Sequence, residues 1–135
     1  MTAITVRNIL VGIDFGSASL VALRYGVELA DELGATLHVV HVASHTDKHL
    51  DGAVPALRRL TPPSAHVLML EADGPARALL DYARAHGIDL IVAGTESGRP
   101  ASPWRAYFMG SVAQNLVRNA PCPVLTMRAP VDAAA

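Results

Sequence analysis

Apolar residues gather along this chain in short unbroken runs, separated by longer stretches in which they return every third or fourth position. Ile9–Ile13, Leu37–Val42, Val67–Leu70, Leu90–Ala93 and Val124–Met127 are the runs. Each is too short for a helix, and a continuous rather than alternating apolar pattern marks a strand covered on both faces. Between the first two runs, Leu20, Leu23, Val27 and Ala30 fall at helical spacing, with Ser17 or Ser19 placed to cap the start and Gly34 to stop the end. Asp73-Gly74-Pro75 opens a second helix that carries Ala76, Leu79, Leu80 and Ala83 and ends at Gly87, because proline is pre-set for a first helical turn. Gly110-Ser111 opens a third, with Met109, Val112, Ala113, Leu116 and Val117 on one side, and Pro121 forbids its continuation. Asp51–Leu60 is a shorter helical candidate inside the connection from the second strand to the third.

Strands that alternate with helices build βαβ units with right-handed crossovers. The expected fold is therefore α/β: a doubly wound, five-stranded parallel sheet sandwiched by helices, Rossmann-like in arrangement. With 135 residues, no internal repeat and no linker, the chain reads as one domain over 1–135, with 1–6 and 129–135 as flexible ends.

Composition agrees with a doubly covered sheet, at 51% hydrophobic and 17% charged residues. Eleven basic residues against twelve acidic ones leave a net charge of -1, which provides no electrostatic footprint for nucleic acid or an anionic membrane. No stretch approaches a membrane span and Met1–Asn8 lacks the apolar run of a signal peptide, so cytoplasmic residence is expected. Cys122 is the single cysteine, so no intrachain disulfide can form; between two prolines at a strand entry, it reads as a small core residue.

Open parallel sheets bind ligands beyond the carboxyl ends of their strands, where the strand order reverses. Asp14 follows the first strand and Gly94 the fourth, so the two loops share one crevice if those strands are neighbours. Free N–H groups and a hydroxyl at Gly110-Ser111 suit an anion such as phosphate. Asp14 would repel phosphate and suits a ribose or adenine edge, or a place near a bound metal ion, unless it only shapes the following turn. Rival phosphate readings fail on residues: there is no P-loop, no G-x-G-x-x-G after the first strand and no G-x-S-x-G elbow. His41, His45 and His49 recur at intervals of four with Asp47 nearby. His41 belongs to a strand end, however, so that spacing does not gather the rings into a metal site, and these histidines read as solvated or packed against loops. Trp104, Tyr107 and Phe108 stand where they cover either a base, a partner or their own helix, and Arg99 and Arg105 lie in the same loop.

Three segments resemble the universal stress protein family, and the likeness runs from about Arg7 to Arg128. Asn8-Ile9-Leu10-Val11-Gly12-Ile13-Asp14-Phe15 looks like its opening strand and Asp-bearing loop, and Asp89-Leu90-Ile91-Val92-Ala93-Gly94-Thr95 like its fourth strand. Gly110-Ser111-Val112-Ala113 through Asn119-Ala120-Pro121-Cys122-Pro123-Val124-Leu125 is similar to its most specific stretch. The resemblance implies an adenine nucleotide alpha hydrolase-like fold, stress-response function, a homodimer paired through the C-terminal strand, and binding of ATP with Mg²⁺ or of another adenine nucleotide. It places Asp14 and Val42 on the nucleoside, and Gly94, Gly98, Gly110 and Ser111 around the phosphates. The ATP-binding branch carries G-x2-G-x9-G-[ST], whereas this chain has G-x3-G-x11-G-S, which lengthens the loop 95–109. That departure leaves a nucleotide-free interaction dimer as the alternative expectation. A slow ATPase is a weaker one, since no side chain of a usual nucleophile or base arrangement stands out and the Ser-Gly-Gly loop of related hydrolases is replaced by Asp14-Phe15-Gly16-Ser17.

Overall fold

The computed structural model describes residues 4–44, 52–95 and 110–129. Its elements run β1 (Asn8–Ile13), α1 (Ser17–Leu33), β2 (Thr36–Ala43), α2 (Ala53–Arg59), β3 (His66–Glu71), α3 (Pro75–Ala85), β4 (Leu90–Gly94), α4 (Ser111–Asn119) and β5 (Val124–Met127). Each expected strand is present and differs from its apolar run by at most a residue at either end, because the ladder recruits flanking polar residues such as Asn8, Thr36 and His66. The sheet is wholly parallel in the order β3-β2-β1-β4-β5. Chain direction across the sheet therefore reverses between β1 and β4, the neighbours that the crevice argument required.

The two windings place helices on opposite faces. α1 packs across β1, β4, β2 and β5, and α2 against β3; α3 lies on β2, and α4 on β5 and on α3. Ile9, Val11, Leu37 and Val39 point toward α1, while Leu10, Val40, Leu80 and Leu116 fill the side under α3 and α4. Both faces of the central strands are thus dry, which is why those runs do not alternate. No helix of the described residues is long and apolar enough to cross a membrane.

α1 departs from expectation in two ways. Its N-cap is Gly16, with no side-chain cap bond, and neither Ser17 nor Ser19 caps it. Its buried residues are Ala18, Ser19, Ala22, Leu23, Gly26 and Ala30, whereas Leu20 is 38% exposed. Small residues line the middle of the buried side beside Leu23, because α1 crosses the sheet's centre at close range. Gly34 closes the helix in the left-handed conformation, as its position implied. In α4 the same kind of shift leaves Val117 about half exposed and Leu116 buried.

Candidate functional site

The carboxyl ends of β1 and β4 diverge at the switch point, and a cavity of about 230 Å³ opens there. Ile13 and Asp14 line it from β1, Val42 from β2, Gly94 and Thr95 from β4, Pro75 and Leu79 from α3, and Gly110, Ser111 and Val112 from α4. Five of the six residues singled out in the sequence, Asp14, Val42, Gly94, Gly110 and Ser111, are brought together here. Gly98 lies outside the described residues, as do His45, Asp47, His49, Arg99, Trp104, Arg105, Tyr107, Phe108 and Met109.

The loop after β1 is built by a closed set of hydrogen bonds. Asp14 N–H donates to Ser19 Oγ at 3.3 Å, Ser19 Oγ–H donates to the Gly16 carbonyl at 3.0 Å, and Gly16 N–H donates to Asp14 Oδ1 at 2.8 Å. Asp14 thus shapes its own turn, as one of the sequence readings had it. Between them Phe15 adopts φ +63° and is the only non-glycine residue with positive φ among those described. That left-handed conformation costs a side-chain-bearing residue about 1 kcal/mol or more.

On the β4 side, Thr95 forms the neck of the loop. Its N–H donates to the Met127 carbonyl at 2.8 Å, and its own carbonyl accepts the Gly110 N–H. This junction puts the start of α4 beside the end of β4. Gly110 caps α4 with no side-chain bond, and the first intrahelical bond runs from Gln114 N–H to the Gly110 carbonyl. The N–H groups of Ser111, Val112 and Ala113 therefore belong to the helix end that attracts anions. Gly94 serves a packing purpose as well: a Cβ there would stand 2.7 Å from the backbone of Ala18 and Ser19. The missing side chain lets α1 begin against β4.

On the other face of β2, His41 reaches the same loop. Its Nδ1 lies 2.6 Å from the Ile13 carbonyl, and its ring meets Phe15 edge-on with centroids 4.9 Å apart. Sequence reasoning had assigned His41 no such place, and it had treated Ser19 only as a helix cap. The role of His41 depends on its standing opposite Ile13 in the β1–β2 pair, and that of Ser19 on the path of the chain from Asp14 into α1; residue type alone carries no signal for either. Cys122 is partly buried against the α3 and α4 side, and burial, more than the nearby Asp89 charge, pushes its thiol pKa up. It remains a protonated packing residue.

The model of the universal stress protein family matches residues 5–128. The chain belongs to the universal stress protein family. Universal stress protein Rv2624c of Mycobacterium tuberculosis is 31% identical over 141 residues, an alignment covering 95% of this chain and 50% of that one. The chain thus spans about half the length of this curated relative. Universal stress protein UspA from Lactobacillus plantarum has a similar structure, with a TM-score of 0.72 at 27% identity over 93% of this chain and 100% of that chain. A universal stress protein solved in complex with cAMP gives a TM-score of 0.69 at 18% identity over 94% of this chain and 100% of that chain. At that identity the likeness is one of fold.

Proposed function

We propose that this universal stress protein binds an adenine nucleotide in the switch-point cavity, and that it acts in the stress response by binding, as a cytoplasmic homodimer, rather than by rapid turnover. The observation that carries the reading is the convergence of Asp14, Val42, Gly110 and Ser111 on one cavity whose far wall is the N-terminal end of α4. The residues present fit the ligand. Ile13, Val42 and Leu79 offer apolar contact to a base, Asp14 accepts from ribose hydroxyls, and the first turn of α4 with the Ser111 hydroxyl receives phosphate oxygens. Gly94 contributes its backbone at the cavity wall, and Gly98 matches the family motif only approximately. The cAMP complex of a structural neighbour supports an adenine nucleotide as the ligand class. ATP with Mg²⁺ is the leading candidate. Among the described residues no group of three or more His, Cys, Asp or Glu is arranged to hold a metal, so Mg²⁺ would arrive on the phosphates with its water.

Calorimetric titration of the nucleotide-stripped protein with ATP and Mg²⁺, and separately with AMP and cAMP, tests this. Saturable binding is expected, weakened at least tenfold in Gly110→Val, whose φ of -57° accepts a valine while the side chain obstructs close approach. Absence of binding by the unaltered protein would favour the nucleotide-free interaction dimer.

The dimer reading rests on β5, an edge strand paired only with β4, whose four residues are all half-buried. The Pro123 and Met127 carbonyls both point to β4, so alternation turns the Thr126 N–H to the open edge. Thr126→Pro should yield a monomer in light scattering. A monomeric unaltered protein at high concentration would remove this part of the proposal.

A further inference from the structure

The Ile13–Asp14 peptide is held at both of its polar atoms. On one side its N–H donates to Ser19 Oγ. On the other its carbonyl faces His41 Nδ1 at 2.6 Å. A carbonyl only accepts, so His41 Nδ1 carries a proton and donates it to Ile13. Nε2 is buried and has no hydrogen-bond partner among the described residues. Pairing of β1 with β4 ends at Val11, while pairing with β2 continues to Ile13 opposite His41, so the last residues of β1 are supported by the sheet from the β2 side alone. Beyond Asp14, the His41 ring braces Phe15 in its left-handed conformation. His41 therefore grips the chain immediately before and immediately after Asp14, from the sheet face opposite α3.

We infer that His41 is a positioning residue of the nucleotide site: by pinning the Ile13 carbonyl and the Phe15 ring it aims the Asp14 carboxylate at the ribose of the bound nucleotide. The inference rests on the nucleotide-binding reading above, and it adds a residue that does not itself line the cavity. His41 restricts rotation of one peptide plane, and that rotation would swing the Asp14 Cα–Cβ bond away from the ligand. The Ser19 hydroxyl does the same from the other end of the plane. Affinity for the phosphates, which belong to α4, does not pass through His41.

The test compares ATP with 2′,3′-dideoxy-ATP, each with Mg²⁺, by titration calorimetry on the full chain, with thermal melting as the folding control. The unaltered protein should prefer ATP by about tenfold, the discrimination expected of one charged hydrogen bond. His41→Phe keeps a ring against Phe15 and removes the donor; the preference should fall to about twofold, as in Asp14→Ala, with affinity for the dideoxy nucleotide changed less than twofold. His41→Asn places an amide N–H near the Nδ1 position and should restore most of the preference. The double variant His41→Phe with Asp14→Ala should lose no more than Asp14→Ala alone. If His41→Phe does not fold, His41→Gln carries the same test, since its longer side chain sets the amide away from the Ile13 carbonyl. Retention of the full preference in a folded His41→Phe or His41→Gln variant overturns the positioning role and leaves nucleotide binding intact. Failure of the unaltered protein to bind either nucleotide overturns both readings.

Discussion

Two histidines three places apart on β2 serve opposite ends of the sheet, and their surroundings differ in a way that separates stability from function. His38 sits near the amino ends of the strands, under α3, and is 6% exposed. Both its nitrogens are engaged, Nε2 with Asn8 Oδ1 at 3.0 Å and Nδ1 with the Tyr82 hydroxyl at 2.7 Å. Because the Asn8 oxygen accepts, Nε2 carries the proton and Nδ1 receives the Tyr82 O–H. His66 stacks on His38 with centroids 5.0 Å apart, and His86 stacks on Tyr82 at 3.8 Å. Nearby, Asp89 accepts the backbone N–H groups of Arg7 and Asn8, which ties the chain's entry into β1 to the loop before β4. His41, at the carboxyl ends, spends one nitrogen on the last carbonyl of β1 and leaves the other unpartnered among the described residues. Every polar atom accounted for is the mark of a brace. Strain at Phe15 and an unmatched nitrogen at His41 lie instead at the end where ligands bind in open parallel sheets.

The strongest challenge to that division is His38→Ala. It opens a cavity and strands the Tyr82 hydroxyl, and should cost about 3 kcal/mol in urea unfolding. Nucleotide affinity measured well below the midpoint should change less than twofold. A large loss of affinity in the folded variant would show that the two ends are coupled and that the comparison is false.

Acid tests the same brace without a substitution. Burial, followed by the His66 and His86 charges, lowers the His38 pKa from 6.5 to about 4. Between those values the unfolded chain holds a proton that the folded one refuses. The contribution of a neutral His38 is therefore fully present above pH 6.5 and is lost as pH falls toward 4, up to about 3 kcal/mol in all. Other ionisable groups share this end of the sheet, including His66 on β3, His86 directly after α3 and Asp89 directly before β4. The relevant quantity is thus the difference in slope between the unaltered protein and His38→Gln in urea titrations from pH 4.5 to 7. Equal slopes would mean that His38 is not held neutral.

The smallest effect is expected at the other half of the peptide clamp. Ser19→Ala removes the acceptor of Asp14 N–H and the donor to Gly16, and should cost about 1 kcal/mol of stability. Its ATP affinity should fall several-fold, the reverse of the balance at His38. If stability falls without any loss of affinity, Ser19 belongs with the braces and the clamp has no functional part.

Much of this was legible in advance, for reasons that particular residues make plain. Val39, Val40 and Val92 could be read as strand because no helical or alternating pattern accommodates them, and Gly34 and Pro121 stop helices through backbone chemistry that needs no context. Asp14, Gly94 and Gly110-Ser111 could be gathered into one crevice because a doubly wound sheet has one place where its order reverses. The orientation of α1 could be read only in part: Leu23, Val27 and Ala30 turn inward as expected, but Leu20 does not. Leu20 satisfies a helical period as well as Ala18, Ala22 and Gly26 do, and what decides between them is distance to the sheet: a Cβ on Gly26 would lie 2.6 Å from Val11 Cγ2. Periodicity reports that a helix has a buried side, not how closely that side is approached.

The sequence by itself determined the number and kind of elements, their order, the family, and the residues that end at the crevice, since all of these follow from local conformational preference and short motifs. Tertiary structure alone decided that Ser19 and His41 hold one peptide group from two directions, that Gly94 makes room for the backbone of α1, and that His38 and His41 serve opposite ends of one strand. The places of the histidines depend on which residues of neighbouring strands stand opposite one another, and those of Ser19 and Gly94 on the close approach of α1 to the sheet. Register is set by the packing of whole faces, and no single residue encodes it.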